Sequence, residues 1–148
     1  MFYGNSVQDT RQLFFSSWKK HLMKEALLPL EKQLVDVILL HPEYQALLQG
    51  PASESEKAYF PELGQTNPFL HMGLHLAIRD QVATNRPAGI ADVFDALVKQ
   101  YHDSAAVEHM FMDHFAECLW QAQRNGCLPD EASYLYACQL LIFRPKVS

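Results

Sequence analysis

Apolar residues recur with helical spacing through most of the chain, and proline, glycine and short polar stretches separate one run from the next. One such run falls on a single face of a helix at about 100° per residue: Ile90, Val93, Phe94, Leu97, Val98 and Tyr101. No stretch alternates apolar and polar positions as a half-buried strand does, and no internal repeat is visible. The pattern predicts an all-α fold, a single domain over residues 1–148 built as a bundle of five or six helices.

Prolines and capping residues indicate where the helices begin and end. Proline is favoured at the first helical position, because the N–H that it lacks would have no helical partner there. Pro29, Pro68 and Pro129 fit this rule, and Pro42 disfavours helix at the residue before it. Further predicted boundaries are the capping residues Asn67, Asp103 or Ser104, and Asn125-Gly126. The predicted helical segments are 6–22, 29–41, 42–49, 67–83, 88–101, 104–125 and 129–142, and residues 50–66 are predicted to form a loop.

The predicted helix 67–83 carries two histidines one turn apart, His71 and His75. His71 falls inside the apolar arc of this helix and His75 at its edge; the arc comprises Leu70, Leu74, Ala77, Ile78 and Val82. Two imidazoles four residues apart on a buried face are what one helix contributes to a metal site in a bundle. Two hydrogen-bonded core histidines give the same spacing, so both interpretations stand.

The predicted helix 104–125 carries a carboxylate, Glu108, in the middle of its apolar face. That face comprises Phe111, Met112, Phe115, Ala116 and Leu119, and His109 and Asp113 continue one of its edges. A buried carboxylate is costly unless it is paired, hydrogen-bonded or bound to a metal. Glu108 therefore either accepts hydrogen bonds from a histidine or from Gln81, or belongs to a metal site.

Taken together, the two helices predict a metal site whose ligands are His71, His75, Glu108, His109 and Asp113. Imidazole and carboxylate groups from facing helices suit zinc, iron or manganese. The spacing matches neither the Glu-x-x-His motif of di-iron bundles nor the His-Glu-x-x-His motif of zinc proteases. His41 and Glu43, before the segment 42–49, are expected to cap a helix and bond locally rather than to bind metal.

Composition narrows the classes of partner. The net charge of −5 argues against a nucleic-acid partner, which requires a basic surface. No run approaches the roughly 18 apolar residues of a membrane span, and residues 1–9 lack the features of a signal peptide. The three cysteines form no C-x-x-C pair, which suits a reducing cytoplasm.

Short blocks of residues along nearly the whole chain carry a family resemblance. They include Phe14-Phe15 with Trp18, Leu28-Pro29-Leu30-Glu31, His41-Pro42-Glu43-Tyr44, Pro68-Phe69-Leu70-His71-Met72-Gly73-Leu74-His75, Arg86-Pro87-Ala88-Gly89-Ile90, Glu108-His109-x-x-Met112, Leu119-Trp120-x-Ala122-Gln123-Arg124 and Pro129-Asp130-Glu131. These blocks resemble an uncharacterised bacterial domain-of-unknown-function family, DUF1841. The resemblance implies a cytoplasmic, single-domain protein and implies no known activity. Asp113 stands where relatives are expected to have glutamate, a change that keeps the carboxylate. Gln45 stands where they are expected to have histidine, which weakens any proposal that the His41 block supplies several ligands.

The sequence is compatible with two functions. The first is a metal-binding helical-bundle protein; if it is an enzyme, the metal would activate water or dioxygen, and nothing in the sequence selects between them. The alternative is a non-catalytic protein–protein interaction module, self-associating as a homo-oligomer, with a hydrogen-bonded His/Glu core cluster and no metal. Its contact surface would be the aromatic-rich first helix and the loop residues Tyr59 and Phe60.

Overall fold

A computed structural model describes residues 7–51 and 67–143 of the chain. These residues contain seven α-helices and no strand: α1 Val7–Leu22, α2 Pro29–Leu39, α3 Pro42–Gln49, α4 Pro68–Thr84, α5 Ile90–Tyr101, α6 Ser104–Asn125 and α7 Glu131–Leu140. A 3-10 helix, Leu141–Phe143, follows α7 directly. The all-α prediction is confirmed. The predicted bundle of five or six helices differs in count from the seven found in the described residues, which match the seven predicted segments one by one.

The chain divides into two compact units, Met1–Leu76 and Ala77–Ser148, and the boundary between them falls within α4. In the first unit, α1 contacts both α2 and α3, and α2 contacts α3. In the second unit, α5, α6 and α7 contact one another. No helix in the described part of the chain is both long and apolar enough to cross a membrane. The organisation of residues 1–148 as a single domain stays a prediction.

The predicted N-caps of α4 and α6 are confirmed. The side-chain oxygen of Asn67 accepts hydrogen bonds from the backbone N–H groups of Phe69 and Leu70, at 3.0 and 3.1 Å. Asp103 accepts in the same way from Ala106 at 3.1 Å. Each cap satisfies backbone donors that have no partner within the helix, which stabilises the first turn.

Several other boundaries differ from the predicted ones by one or two residues, and two of them have clear local reasons. The helix α7 begins after Asp130 rather than at Pro129, because Asp130 acts as the N-cap and accepts from the backbone N–H and the hydroxyl of Ser133. The helix α2 ends at Leu39 rather than at residue 41. His41 has a non-helical backbone, with φ −129° and ψ 72°, as expected for a residue that precedes a proline.

Aromatic side chains of α1 lie in the core of the first unit. The rings of Phe14 and Phe15 pack against Phe69, with centroids 5.9 and 6.0 Å apart, and Trp18 is only 3% exposed. The buried cluster consists of Phe14, Phe15, Trp18, Leu34, Val35, Val37, Ile38, Leu48, Phe69, Met72 and Leu76. These aromatic residues therefore stabilise the unit itself and are not available as a contact surface. Tyr59 and Phe60, the other part of the proposed surface, lie outside the described residues.

The core of the second unit is built around α6. Phe111 is completely buried, and its ring meets that of Phe94 edge to face at 5.3 Å. Met112 is buried as predicted, whereas Phe115 is only partly buried and packs against Tyr134 at 5.3 Å. The other buried apolar residues of this unit are Ile78, Ile90, Val93, Leu97, Val107, Ala122, Tyr134, Cys138 and Leu141.

Tyr134 and Cys138 form a buried polar pair one turn apart in α7. The Tyr134 hydroxyl donates a hydrogen bond of 2.6 Å to the side-chain oxygen of Gln81. Burial raises the pKa of the Cys138 thiol to about 12, and it raises the pKa of the Tyr134 hydroxyl as well. Both groups are therefore neutral at physiological pH, which is the form that an apolar interior tolerates.

Glu31 in the first turn of α2 contributes stability that depends on pH. Its carboxylate accepts from Lys20 Nζ and from the Leu28 backbone N–H, both at 2.8 Å. The Lys20 bond first, and then the Leu28 bond, lower the pKa of Glu31 below its ordinary value of 4.5. A lowered pKa in the folded state means that this contribution is present above the unfolded-state pKa and is lost as the pH falls through the folded-state pKa.

Glu31→Gln is therefore expected to lower the free energy of unfolding at pH 7, with a difference from wild type that shrinks as the pH falls below 4.5. Urea unfolding of both proteins across this range measures the difference. Asp36→Asn, at an exposed position of the same helix, is the matched control and should show little effect. A difference that stays constant down to the acid limit would contradict this assignment.

Candidate metal centre

Three histidines of the first unit, His41, His71 and His75, bring their rings together. The centroid of His41 lies 5.0 Å from that of His71 and 4.7 Å from that of His75, and the last two are 4.9 Å apart. One ring nitrogen from each histidine lies within 4.8 Å of those of the other two. The sequence placed His71 and His75 in one site but left out His41.

His71 and His75 reach this cluster because they lie one turn apart on α4, where residues i and i+4 share a face. Their Nε2 atoms are 3.2 Å apart. The buried face of α4 is rotated from the predicted arc: Leu70 is 60% exposed, whereas His75 is only 1% exposed. The contacts of Phe69 with α1 account for this rotation, because burial of that ring turns Leu70 toward solvent.

His41 is positioned by the corner between α2 and α3. It is 6% exposed, and its Nδ1 lies 2.8 Å from the backbone carbonyl oxygen of Val37. A carbonyl only accepts hydrogen bonds, so this contact assigns the proton to Nδ1 and the lone pair to Nε2. Metal-binding histidines characteristically carry such a bond on the nitrogen opposite the metal. The prediction of local hydrogen bonding is confirmed, whereas the His41 side chain makes no capping hydrogen bond to α3. The bond to Val37 prepares His41 as a ligand.

The spacing of the cluster is close to that of a tetrahedral metal site. With Zn–N bonds of 2.0–2.1 Å, two ligand nitrogens of a tetrahedron lie about 3.3–3.4 Å apart. The Nε2 atoms of His71 and His75, 3.2 Å apart, nearly match this edge. In the absence of metal the same distance is a hydrogen bond from one imidazole to the other. The ring nitrogen of His41 lies within 4.8 Å of both, so the rings would have to move closer together to bind one ion.

Tyr44 forms one wall beside the histidines. Its ring stacks on His41, with centroids 5.3 Å apart and planes 11° apart, and lies 6.3 Å from that of His71. Partial burial, and then the charge of Glu43, raise the pKa of the Tyr44 hydroxyl. Tyr44 is therefore a neutral aromatic neighbour that holds the His41 ring in its plane.

The other predicted ligands, Glu108, His109 and Asp113, lie on α6 in the second unit. Glu108 is 7% exposed, and both of its carboxylate oxygens face Arg79 Nε, at 3.1 and 3.2 Å. The prediction that this buried carboxylate needs a partner is confirmed. One partner is Arg79, a residue that the sequence pattern did not predict for this role.

His109 and Asp113 are both exposed on α6. Nδ1 of His109 lies 2.9 Å from the carbonyl oxygen of Ala105, which assigns the lone pair to Nε2 as in His41. A role for these α6 residues in one site with His71 and His75 stays a prediction from the sequence.

Comparison with known proteins identifies a family without a stated activity. A family model described as "Domain of unknown function (DUF1841)" matches residues 6–140. This range includes all three histidines of the cluster. No curated protein and no solved structure matches the chain.

Proposed function

The chain belongs to the DUF1841 family, whose description states no activity, and we propose from the site itself that it binds a divalent metal ion through His41, His71 and His75. The observation that carries the proposal is the approach of three ring nitrogens to within 4.8 Å of one another in the first unit. Two of these rings are buried, and the third is partly buried. Three imidazoles converging in this way are a recurrent ligand set for metal ions in proteins.

The donor set favours zinc or iron over manganese. Imidazole nitrogen suits zinc, copper, iron and nickel, whereas manganese prefers carboxylate and carbonyl oxygen. Three neutral ligands leave the full charge of the ion uncompensated and a coordination position open. An ion held in this way lowers the pKa of a bound water or polarises a bound oxygen group, which is the chemistry that such a centre would supply.

The two alternatives to a metal centre receive different support. Burial of Phe14, Phe15 and Trp18 removes the main reason for the interaction module, because α1 does not expose its aromatic residues. A metal-free cluster of hydrogen-bonded histidines is the stronger alternative, since the 3.2 Å contact between His71 and His75 serves it as well. A measurement of metal content therefore distinguishes the metal centre from the metal-free cluster.

The test is elemental analysis by inductively coupled plasma mass spectrometry of tag-free protein purified without nickel. We expect about one zinc or iron ion per chain in wild type, as for a single three-histidine site, and a loss of that metal in His71→Ala/His75→Ala. The matched control is His102→Asn, which removes an exposed histidine and keeps a residue type that tolerates its positive φ of 58°. Absence of metal, together with no uptake of Zn²⁺ or Fe²⁺ on reconstitution, would overturn the proposal and assign the histidines a structural role.

The same metal analysis tests each predicted ligand on α6 through a single alanine variant. A lower metal content in His109→Ala or Asp113→Ala would add that residue to the site, and an unchanged content would remove it. Glu108 is the weakest of these candidates, because Arg79 already holds its carboxylate.

A further inference from the structure

A small cleft in the second unit ends at an ion pair. Its volume is about 210 Å³, and it is lined by Ile78, Arg79, Val82, Ala83, Phe94 and Glu108. Four of these six side chains are apolar, so the charged pair provides the polar groups of an otherwise hydrophobic space. The cleft shares no residue with the histidine cluster, and its proposed role does not depend on a bound metal.

The ion pair holds Arg79 in a fixed position. Glu108 has a side chain that is 9% exposed, and its two oxygens share the Nε–H of Arg79. A guanidinium carries five N–H donors, so this contact engages one of them and leaves the two Nη groups outside the pair. The Arg79 side chain is 37% exposed and so remains accessible to a ligand.

The chemistry of this end of the cleft suits a carboxylate. The planar fork of a guanidinium matches the two oxygens of a carboxylate or a phosphate. The pair of Arg79 and Glu108 is neutral overall, so Glu108 opposes any negative charge on a ligand, and it opposes a dianion more strongly than a monoanion. The apolar walls also offer nothing to the additional oxygens of a phosphate. A monoanionic carboxylate, with one charge and two oxygens, is therefore favoured over a phosphate.

The walls and the volume define the remainder of the ligand. Val82, Ala83 and Phe94 offer contacts to a branched or aromatic hydrocarbon group, and Ile78 lies buried behind them. The volume of about 210 Å³ is small, so the cleft encloses a short side chain more completely than a large one. We propose that this cleft binds a small monocarboxylic acid with a branched or aromatic side chain, its carboxylate on Arg79 and its hydrocarbon group between Val82 and Phe94.

The test is a titration of the ¹⁵N-labelled full chain with sodium 3-methylbutanoate, followed by NMR. We expect saturable shifts of the Ile78, Val82 and Phe94 resonances with a dissociation constant of about 1 mM, the range of a ligand this small. The neutral isostere 3-methylbutanamide should bind at least about tenfold more weakly, because hydrogen bonds between charged groups are the stronger ones.

Two variants separate loss of the ligand contact from loss of folding. Arg79→Gln removes the guanidinium and should weaken binding about tenfold or more, whereas Arg124→Gln, an exposed arginine of the same unit, should not. Ala83→Phe fills the cleft while leaving the ion pair intact, and it should abolish the shifts in a protein that retains its wild-type spectrum elsewhere. Equal binding of acid and amide, tighter binding of inorganic phosphate, or unchanged binding in Ala83→Phe would overturn the proposal.

Discussion

Replacement of His41 by alanine is expected to weaken zinc binding by more than about 100-fold, because even the loss of a hydrogen-bond partner behind a ligand typically costs 10–100-fold. His41 provides a ring already oriented by its bond to the Val37 carbonyl, so its removal leaves only the two imidazoles of α4 in the first unit. Competition against a chromophoric chelator measures the affinity. His102→Asn is again the control, and equal affinities of wild type and His41→Ala would exclude His41 as a ligand.

The loss of zinc affinity in His41→Ala should also remove the thermal stabilisation that zinc gives to the wild type. A ligand at 100 times its dissociation constant stabilises the native state by about 2.7 kcal/mol. For a chain of this size that corresponds to a rise in melting temperature of about 5–11 °C. Wild type should show this rise on addition of Zn²⁺, and His41→Ala should not at the same concentration. A wild-type melting temperature that does not respond to zinc would favour the metal-free cluster.

Phe111→Ala is expected to lower the free energy of unfolding by about 3–5 kcal/mol, the usual cost of deleting a fully buried phenylalanine ring. Phe111 is 0% exposed and meets Phe94 edge to face, so its removal leaves a cavity beside a second aromatic ring. This loss is a large fraction of the 5–15 kcal/mol that stabilises a typical domain.

Phe143→Ala is the matched control, because it deletes the same ring at a position that is 79% exposed. Its expected effect is within about 0.5 kcal/mol, as for most surface substitutions. Urea unfolding followed by circular dichroism compares the two variants. A cost below about 1 kcal/mol for Phe111→Ala would mean that the surrounding helices collapse into the cavity, contrary to close packing in this unit.

Local features of the fold could be predicted from the sequence because local chemistry determines them. Asn67 and Asp103 cap their helices through side-chain oxygens two or three residues from the donors, and Gly126 ends α6 with a positive φ of 63°. Such contacts depend on a few adjacent residues. The burial of Phe111 and Glu108 also followed from the helical spacing alone.

Features that depend on the packing of distant residues could not be predicted in the same way. The rotation of α4 depends on the contact of Phe69 with α1, so the arc drawn from its own residues wrongly included Leu70. His41 joins His71 and His75 across a long sequence separation, and only the fold brings them together. The proline after His41 indicated a break between two helices, but it did not indicate that this break contacts α4.

Arg79 is a further residue that the helical pattern did not identify. A long side chain can reach a buried carboxylate from the edge of an apolar face, because its methylene groups pack while its guanidinium extends. Glu108 signalled that a cationic or polar partner was required, but the sequence offered several candidates. The distances of 3.1 and 3.2 Å from Nε identify Arg79, which was not among the candidates named from the sequence.

The burial of Cys138 provides the second unit with an internal reporter of its own opening. With a pKa of about 12, Cys138 carries the reactive thiolate in only about one molecule in ten thousand at pH 8. In the folded protein the sulfur is also buried, so the reagent does not reach it. Cys127, which is exposed, reacts with iodoacetamide without any such barrier. Mass spectrometry of the two labelled peptides over time therefore yields the fraction of molecules in which Cys138 is accessible to the reagent, with the exposed cysteine as the reference for intrinsic reactivity.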